Sequence, residues 1–180
     1  MLEVEIKARV RIEEIEHKLI RLGAKLLDEE EQKDIYFSHP CRDFKKKDEA
    51  LRVRRVKEGY FLTYKGPKLD QETKTREEIQ IKVTEKIFDL LERLSFSKVE
   101  EVDKTRRVYR WEDLEICLDR VKDLGEFLEI EGKMWQDRGK IFELLKKLGI
   151  PKKELIRKSY LEMLEDKIKS IPKDPTKPPT

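Results

Sequence analysis

Two segments near opposite ends of the chain carry the same spacing of two glutamates and a lysine. Residues 3–7 read Glu-Val-Glu-Ile-Lys, and residues 129–133 read Glu-Ile-Glu-Gly-Lys. Side chains two apart lie on the same face of a β-strand, so the charged groups of each segment point the same way. Clustered carboxylates bind hard divalent cations, and lysine and arginine bind phosphate oxygens. The two segments therefore predict a site for a metal-bound polyphosphate.

Other segments place charged residues on one strand face in the same manner. Arg52 and Arg54 alternate with aliphatic residues, and residues 76–83 alternate charged or polar residues with Ile, Ile and Val. Lys104 and Arg106 continue the pattern. For any single strand the alternative interpretation is that its charged side chains face water, since such amphipathic strands are the commonest kind. Several such strands in one sheet instead favour a curled sheet whose charged faces turn towards one another.

The elements that would position these groups are mostly strands. Alternation of period two predicts strands over residues 2–10, 51–56, 60–65, 76–83, 106–111, 114–119 and 126–133. Apolar residues at helical spacing predict helices over 12–22, 87–94, 141–148 and about 160–164. Short connections between strands indicate antiparallel hairpins. The prediction is an α+β fold, with a single antiparallel β-barrel or tunnel of about eight strands and helices packed on its outside.

Composition narrows the possible roles. The 42 Lys and Arg nearly balance the 39 Asp and Glu, and the net charge of +3 argues against a uniformly basic nucleic-acid binder. The length fits one domain, predicted over residues 1–168, followed by a Pro/Lys-rich tail over 169–180. Only two cysteines are present, with no signal-peptide pattern and no apolar run long enough to span a membrane, so we expect a cytoplasmic protein.

The motifs, taken in order, resemble those of the CYTH superfamily, and most closely its class IV adenylyl cyclases. The superfamily also takes in thiamine triphosphatases and inorganic triphosphatases. The resemblance extends along nearly the whole chain to about residue 164. It rests on residues 3–7, 34–37, 48–54, 63–67, 75–78, 118–131 and 158–160.

The resemblance implies a role for each charged residue singled out above. The implied ligands of Mg²⁺ or Mn²⁺ are Glu3, Glu5, Asp119, Glu129 and Glu131. The implied substrate-binding residues, which would hold triphosphate oxygens, are Lys7, Arg52, Arg54, Lys65, Arg76, Lys104 and Arg106. The implied catalytic residues are Lys7, Glu78 and Asp119. For each of these positions a purely structural salt bridge is the alternative, above all for Arg76 and Lys104.

Two enzymatic activities remain open, because one pocket could serve both. A cyclase would convert ATP to cyclic AMP and pyrophosphate, and a triphosphatase would release orthophosphate from inorganic or organic triphosphates such as thiamine triphosphate. A non-catalytic nucleotide or polyphosphate binding module is a third reading. Neither histidine lies on a charged strand face, so a metal rather than a histidine base would do most of the chemistry. The resemblance also implies a homodimer, and the charge balance predicts no nucleic-acid partner.

Overall fold

The strands of the chain close into an antiparallel barrel. The computed structural model describes residues 2–70 and 72–170. Within that part of the chain, the barrel order is β1-β5-β4-β3-β2-β6-β7-β8, and every neighbouring pair is antiparallel. The strands are β1 (Leu2–Arg9), β2 (Lys25–Ser38), β3 (Ala50–Val56), β4 (Gly59–Lys65), β5 (Arg76–Val83), β6 (Ser97–Trp111), β7 (Leu114–Val121) and β8 (Gly125–Gly132). The predicted α+β barrel is confirmed.

Helices occupy the connections between strands. They are α1 (Ile12–Arg21), α2 (Ile87–Arg93), α3 (Asp137–Leu148) and α4 (Tyr160–Ser170), with a short 3-10 turn at Lys152–Glu154. Each of the four predicted helices is present. The third ends at Gly149, whose φ of 78° is the left-handed conformation that glycine adopts most easily after a helix.

Two of the helices cover the apolar outer face of β1, β7 and β8. Leu19 of α1 and Leu144 of α3 are fully buried, as are Ile116 of β7 and Ile130 of β8. These residues belong to the largest apolar cluster. Because the apolar side chains of these strands face the helices, the charged side chains of the same strands must face the barrel interior.

The second helix covers a separate part of the barrel wall. Ile87 and Leu91 of α2 pack with Ile35 of β2 and Val53 of β3. The apolar outer face of β5 is open to solvent, and its Ile79 and Ile81 are 54% and 53% exposed.

The predicted apolar stripe of α2 also differs from the structure. The sequence pattern places Leu90 and Leu94 in that stripe together with Ile87 and Leu91, yet Leu90 and Leu94 are more than half exposed. Ile87 and Leu91, four residues apart, form the buried side of this two-turn helix.

Strand β2 was not predicted, and β6 begins nine residues earlier than expected. Residues 25–31 of β2 carry polar or charged groups on both faces, so they show no period-two alternation. Strand β2 pairs with β6 along its length, from Lys25 opposite Arg110 to Ser38 opposite Ser97. Pairing across the sheet, rather than an amphipathic pattern, specifies these two strands.

The fourth helix packs against one end of the barrel interior. Tyr160 is buried among Val102, Val121 and Phe127, with its ring 5.1 Å from that of Phe127. The helix extends to Ser170, past the predicted domain boundary, and residues 171–180 of the predicted tail lie outside the described part of the chain. None of the helices described here is both long and apolar enough to cross a bilayer.

Candidate active site

The barrel interior, called the tunnel below, is a cavity of about 1190 Å³. Twelve of the predicted site residues line it: Glu3, Glu5, Lys7, Arg52, Arg54, Lys65, Arg76, Glu78, Lys104, Arg106, Glu129 and Glu131. The remaining one, Asp119, is fully buried in the wall. The fold therefore brings these twelve residues from six strands to one space, as strand parity requires.

Carboxylates of β1 and β8 face one another in the tunnel. Glu5 lies opposite Glu131, and Lys7 opposite Glu129, in the antiparallel register. Removal from water raises the pKa of Glu131 to about 8, with a further contribution from Glu3. Arg106 opposes this rise, with its Nη1 3.4 Å from Oε1 of Glu131. Glu3 and Glu5 each have a lysine within 2.9 Å, so Glu131 is the least compensated of these three carboxylates.

Lys7 lies at the centre of the buried charges and is 1% exposed. Its Nζ is 2.8 Å from Oε1 of Glu129 and 3.8 Å from Oε1 of Glu5. Burial alone would lower the pKa of Lys7, but these carboxylates outweigh it and raise the pKa above its ordinary value. Lys7 is therefore a permanent cation in the tunnel wall.

A second pair of charges joins β6 to β7. Arg106 donates through Nε to Oδ1 of Asp119 at 2.7 Å and through Nη2 to Oδ2 at 2.6 Å. Oδ2 also accepts from Lys104 at 3.1 Å and from the hydroxyl of Tyr160 at 2.9 Å. Burial would raise the pKa of Asp119, but Arg106 and then Lys104 outweigh it and lower the pKa. With its oxygens so occupied, Asp119 orients the cations around it.

Tyr160 was not among the predicted site residues, although it lies within the family motif at 158–160. Besides its bond to Asp119, its ring centroid is 3.6 Å from Nζ of Lys7 and 5.1 Å from Nζ of Lys104. Such cation–π contacts stabilise the lysine positions. The sequence signal for this role was weak, since a tyrosine at the start of an amphipathic helix usually belongs to the core.

Asp34 of β2 holds the arginines of β3. Arg54 donates to both oxygens of Asp34, at 2.6 and 2.8 Å, whereas Arg52 approaches it only to 3.5 Å. Removal from water would raise the pKa of Asp34, but the two arginines lower it strongly. Asp34 stood in a family motif, yet it received no predicted role because β2 shows no alternation.

Lysines reach the remaining carboxylates of the tunnel. Lys65 is 2.9 Å from Oε2 of Glu3 and 2.8 Å from Oε2 of Glu78. Burial alone would raise the pKa of Glu78, but Lys65 outweighs it and brings the pKa to about 2. Lys74 donates to Glu5 at 2.6 Å, and its own pKa is lowered by burial. Lys74 lies in the β4–β5 connection, where strand parity carries no information.

Arg76 is the most loosely paired of the predicted cations, with Nη2 4.0 Å from Oδ1 of Asp48. The side chain of Arg76 is 9% exposed and lines the tunnel. An arginine so buried with only a distant carboxylate can accept an anion at its remaining N–H groups.

The acidic side of the tunnel has the donors that a hard divalent cation requires. Glu3, Glu5 and Glu131 offer oxygen ligands, and the pKa of Glu131 is raised first by burial and then by the charge of Glu3. Glu115, Cys117 and Glu131 also place one ligand atom each within 4.8 Å of one another. The residues present thus fit Mg²⁺ or Mn²⁺, while the thiol of Cys117, whose pKa burial raises, is a less suitable ligand for either ion.

Comparison with known proteins agrees with this arrangement. The model of the CYTH domain matches residues 1–160. A Methanocaldococcus jannaschii protein named "Putative adenylate cyclase MJ0240" is 42% identical over 172 residues, which cover 91% of this chain and 98% of that protein.

Solved structures share the fold. The PH1819 protein from Pyrococcus horikoshii OT3 superposes with a TM-score of 0.82 and 42% identity, over 92% of this chain and 99% of that chain. The Hippeastrum protein HpAC1 has a TM-score of 0.68 at 20% identity, over 92% of this chain and 95% of that chain, and shares the fold alone. The family model and the 42% identical relative both extend over most of the tunnel-forming sequence, and this chain belongs to the CYTH domain family.

Proposed function

We propose that this protein is a divalent-metal-dependent enzyme that converts ATP into cyclic AMP and pyrophosphate. The observation that carries the proposal is the tunnel itself, where arginines and lysines from several strands face a group of carboxylates. A site of this composition suits a triphosphate with a bound cation. The name of the 42% identical archaeal protein supports the cyclase reaction.

The proposed roles follow the position of each group. The residues proposed to hold triphosphate oxygens are Lys7, Arg52, Arg54, Lys65, Arg76, Lys104 and Arg106. Glu3, Glu5, Glu129 and Glu131 are the proposed metal ligands, and Asp119, predicted as a ligand and catalytic residue, is proposed to act through Arg106 and Lys104. A cation bound to these carboxylates would neutralise phosphate charge and lower the pKa of the attacking hydroxyl.

In the proposed reaction, the ribose 3′-hydroxyl gives up its proton to solvent water and its oxygen bonds to the α-phosphorus, while the bond from that phosphorus to the pyrophosphate oxygen breaks. Lys7 keeps its proton because of Glu129 and Glu5, so it offsets negative charge and does not act as a base. Glu78, predicted as catalytic, pairs with Lys65 and is proposed to fix that lysine towards the phosphates. These contacts are formed before substrate arrives, which reduces the reorganisation needed in the transition state.

A triphosphatase is the second candidate. The same cations and carboxylates would serve a water molecule attacking the terminal phosphorus, with orthophosphate as the product. The Hippeastrum protein HpAC1, which shares only the fold with this chain, is described as having a dominant triphosphatase activity.

Product analysis by phosphorus NMR distinguishes the two reactions. Purified protein is incubated separately with ATP and tripolyphosphate, with magnesium, with manganese or with EDTA, at neutral and alkaline pH. Cyclic AMP with equimolar pyrophosphate supports the cyclase, and orthophosphate without cyclic product supports the triphosphatase. Metal-dependent turnover must disappear in EDTA and in the Glu5→Gln variant. Absence of both reactions under all conditions contradicts the proposal and favours a non-catalytic binding module.

The proposal includes a homodimer in the cytoplasm without a nucleic-acid partner. Cys41 and Cys117 are both free thiols, which is typical of a reducing compartment. Sedimentation velocity of the purified protein tests the homodimer.

A further inference from the structure

One side of the tunnel contains two carboxamides and an aromatic ring. A second cavity of about 250 Å³ is lined there by Gln32, Gln80, Phe61 and Val56, together with the charged side chains of Glu30, Arg54 and Glu58. Gln32, Gln80 and Arg54 also line the main tunnel, so this cavity adjoins the charged site. It is called the side cavity below.

Gln32 presents a hydrogen-bond acceptor that is not used. Its Nε2 donates to a carboxylate oxygen of Glu30, and Glu30 when ionised can only accept, which fixes the orientation of the amide. Oε1 of Gln32 is buried and has no hydrogen-bond partner in the described part of the protein, and the residue is 5% exposed. Such an acceptor is costly to bury unless a ligand donates to it.

Gln80 presents the opposite group. Arg52 donates to Oγ1 of Thr63 at 3.3 Å, and Thr63 in turn donates to Oε1 of Gln80 at 3.1 Å. Because Oε1 accepts from Thr63, the Nε2 group of Gln80 remains as the donor. The two carboxamides of the side cavity thus offer one acceptor and one donor.

Phe61 supplies an apolar ring beside these amides. It lies on the same face of β4 as Thr63, which contacts Arg52, and Lys65, which contacts Glu3. The side chain is partly exposed, and within residues 2–70 and 72–170 it belongs to no buried apolar cluster and no aromatic pair. A ring in this position can stack against a planar base.

We infer that the side cavity binds the adenine ring of ATP, with Gln32 Oε1 accepting from the exocyclic amine, Gln80 Nε2 donating to a ring nitrogen, and Phe61 stacking on the base. This inference rests on the proposed function and names its base-recognition subsite. Adenine carries a donor beside an acceptor, the pattern that a glutamine amide pairs with in nucleic acids. Hypoxanthine, the base of ITP, has a carbonyl in place of that amine. Its oxygen and Oε1 of Gln32 are both acceptors, so no hydrogen bond would form between them.

Equilibrium binding tests the subsite. ATP, ITP and tripolyphosphate are titrated calorimetrically into the full-length protein and its variants in EDTA, where metal-dependent turnover does not consume the ligand. KM values with magnesium provide the second readout. The variants are Gln32→Met, which keeps side-chain length but removes the acceptor, and Phe61→Leu, which removes the ring. Gln136→Met, at an exposed position before α3, is the matched control.

The parent protein should bind ATP more tightly than ITP. Gln32→Met should weaken ATP binding about fivefold and remove most of the preference over ITP, the loss expected for one neutral hydrogen bond. Phe61→Leu should weaken ATP and ITP binding alike, by about fivefold or more. Neither variant should change the affinity for tripolyphosphate, and the control should change none of the three.

Four other results overturn the inference in distinguishable ways. Equal binding of ATP and ITP by the parent contradicts base recognition by Gln32. A loss of tripolyphosphate affinity equal to the loss of ATP affinity in both variants shows that they disturb the tunnel as a whole. If the parent binds tripolyphosphate but not ATP, the base subsite and the cyclase both fail while a triphosphatase survives; if it binds neither, the proposed function fails with it.

Discussion

Arg52 and Arg54 stand two residues apart on β3 and share Asp34, yet only Arg54 is held by it. Arg54 forms a two-pronged contact at 2.6 and 2.8 Å, while Arg52 lies 3.5 Å from the same carboxylate. Nε of Arg52 is buried and has no hydrogen-bond partner among the described residues. Both arginines keep N–H groups for an anion, but Asp34 fixes only Arg54 in the wall.

Substitution should separate these two roles. Arg52→Met should weaken tripolyphosphate binding about tenfold to a hundredfold, the loss of one or two charge-assisted contacts, with little change in the free energy of unfolding. Arg54→Met should also lower the free energy of unfolding by about 3–5 kcal/mol, because it leaves the buried Asp34 without its main partner. Calorimetric titration and urea unfolding measure the two quantities. Equal destabilisation by both variants contradicts the assignment.

Alternation in the sequence was sufficient to predict which side chains share the tunnel. Glu3, Glu5, Arg106 and Glu131 all lie on the predicted strand faces, because the backbone geometry of a strand fixes that alternation. The barrel followed from the number of such strands and from the need to bury the apolar faces under helices.

Contacts that depend on other parts of the chain were not predictable in this way. Asp34 lies on a strand whose formation requires β6, and Lys74 lies in a connection without periodicity. Tyr160 reaches Asp119 only because α4 packs against one end of the barrel. Whether a charged residue binds a ligand or a neighbour depends on distances that alternation does not encode, as the contrast between Arg52 and Arg54 illustrates.

Tyr160 should stabilise the protein through both its hydroxyl and its ring. Tyr160→Phe removes the 2.9 Å bond to Asp119 but keeps the ring over Lys7, so we expect a loss of about 1.5–3 kcal/mol in the free energy of unfolding. Tyr160→Leu should cost about 1–2 kcal/mol more, because the cation–π contacts are also lost. Urea unfolding checks both values. Identical losses in the two variants indicate that the ring contacts contribute nothing.

Asp119 offers a test between metal binding and support of the cations. Asp119→Asn should weaken tripolyphosphate binding in EDTA about tenfold or more, because Arg106 and Lys104 lose the charge that orients them. The affinity for Mn²⁺ alone, measured by titration followed by electron paramagnetic resonance, should change less than about threefold. Asp113→Asn, in an exposed pair with Lys140, is the control and should change neither affinity. If Mn²⁺ binding is lost in Asp119→Asn, Asp119 is a metal ligand.

Glu131 should make the stability of the metal-free protein depend on pH. Its folded pKa of about 8 lies above the ordinary value of 4.5, so the folded state holds the proton more tightly than the unfolded state. The stabilising contribution is fully present below about pH 4.5, declines as the pH rises, and is lost above about pH 8. Glu131→Gln cannot ionise and should not show this decline.

Urea unfolding in EDTA between pH 5 and pH 9 measures the effect. The free energy of unfolding of Glu131→Gln relative to the parent should rise by roughly 3 kcal/mol across this range, a value reduced from the full pKa difference because the side chain is 21% exposed. Comparison with the parent at each pH cancels the titration of other groups. Glu143→Gln, in an exposed pair with Lys147 on α3, should show no such trend. A difference that is constant with pH would mean that Glu131 is already ionised at pH 5, which contradicts a raised pKa for this group.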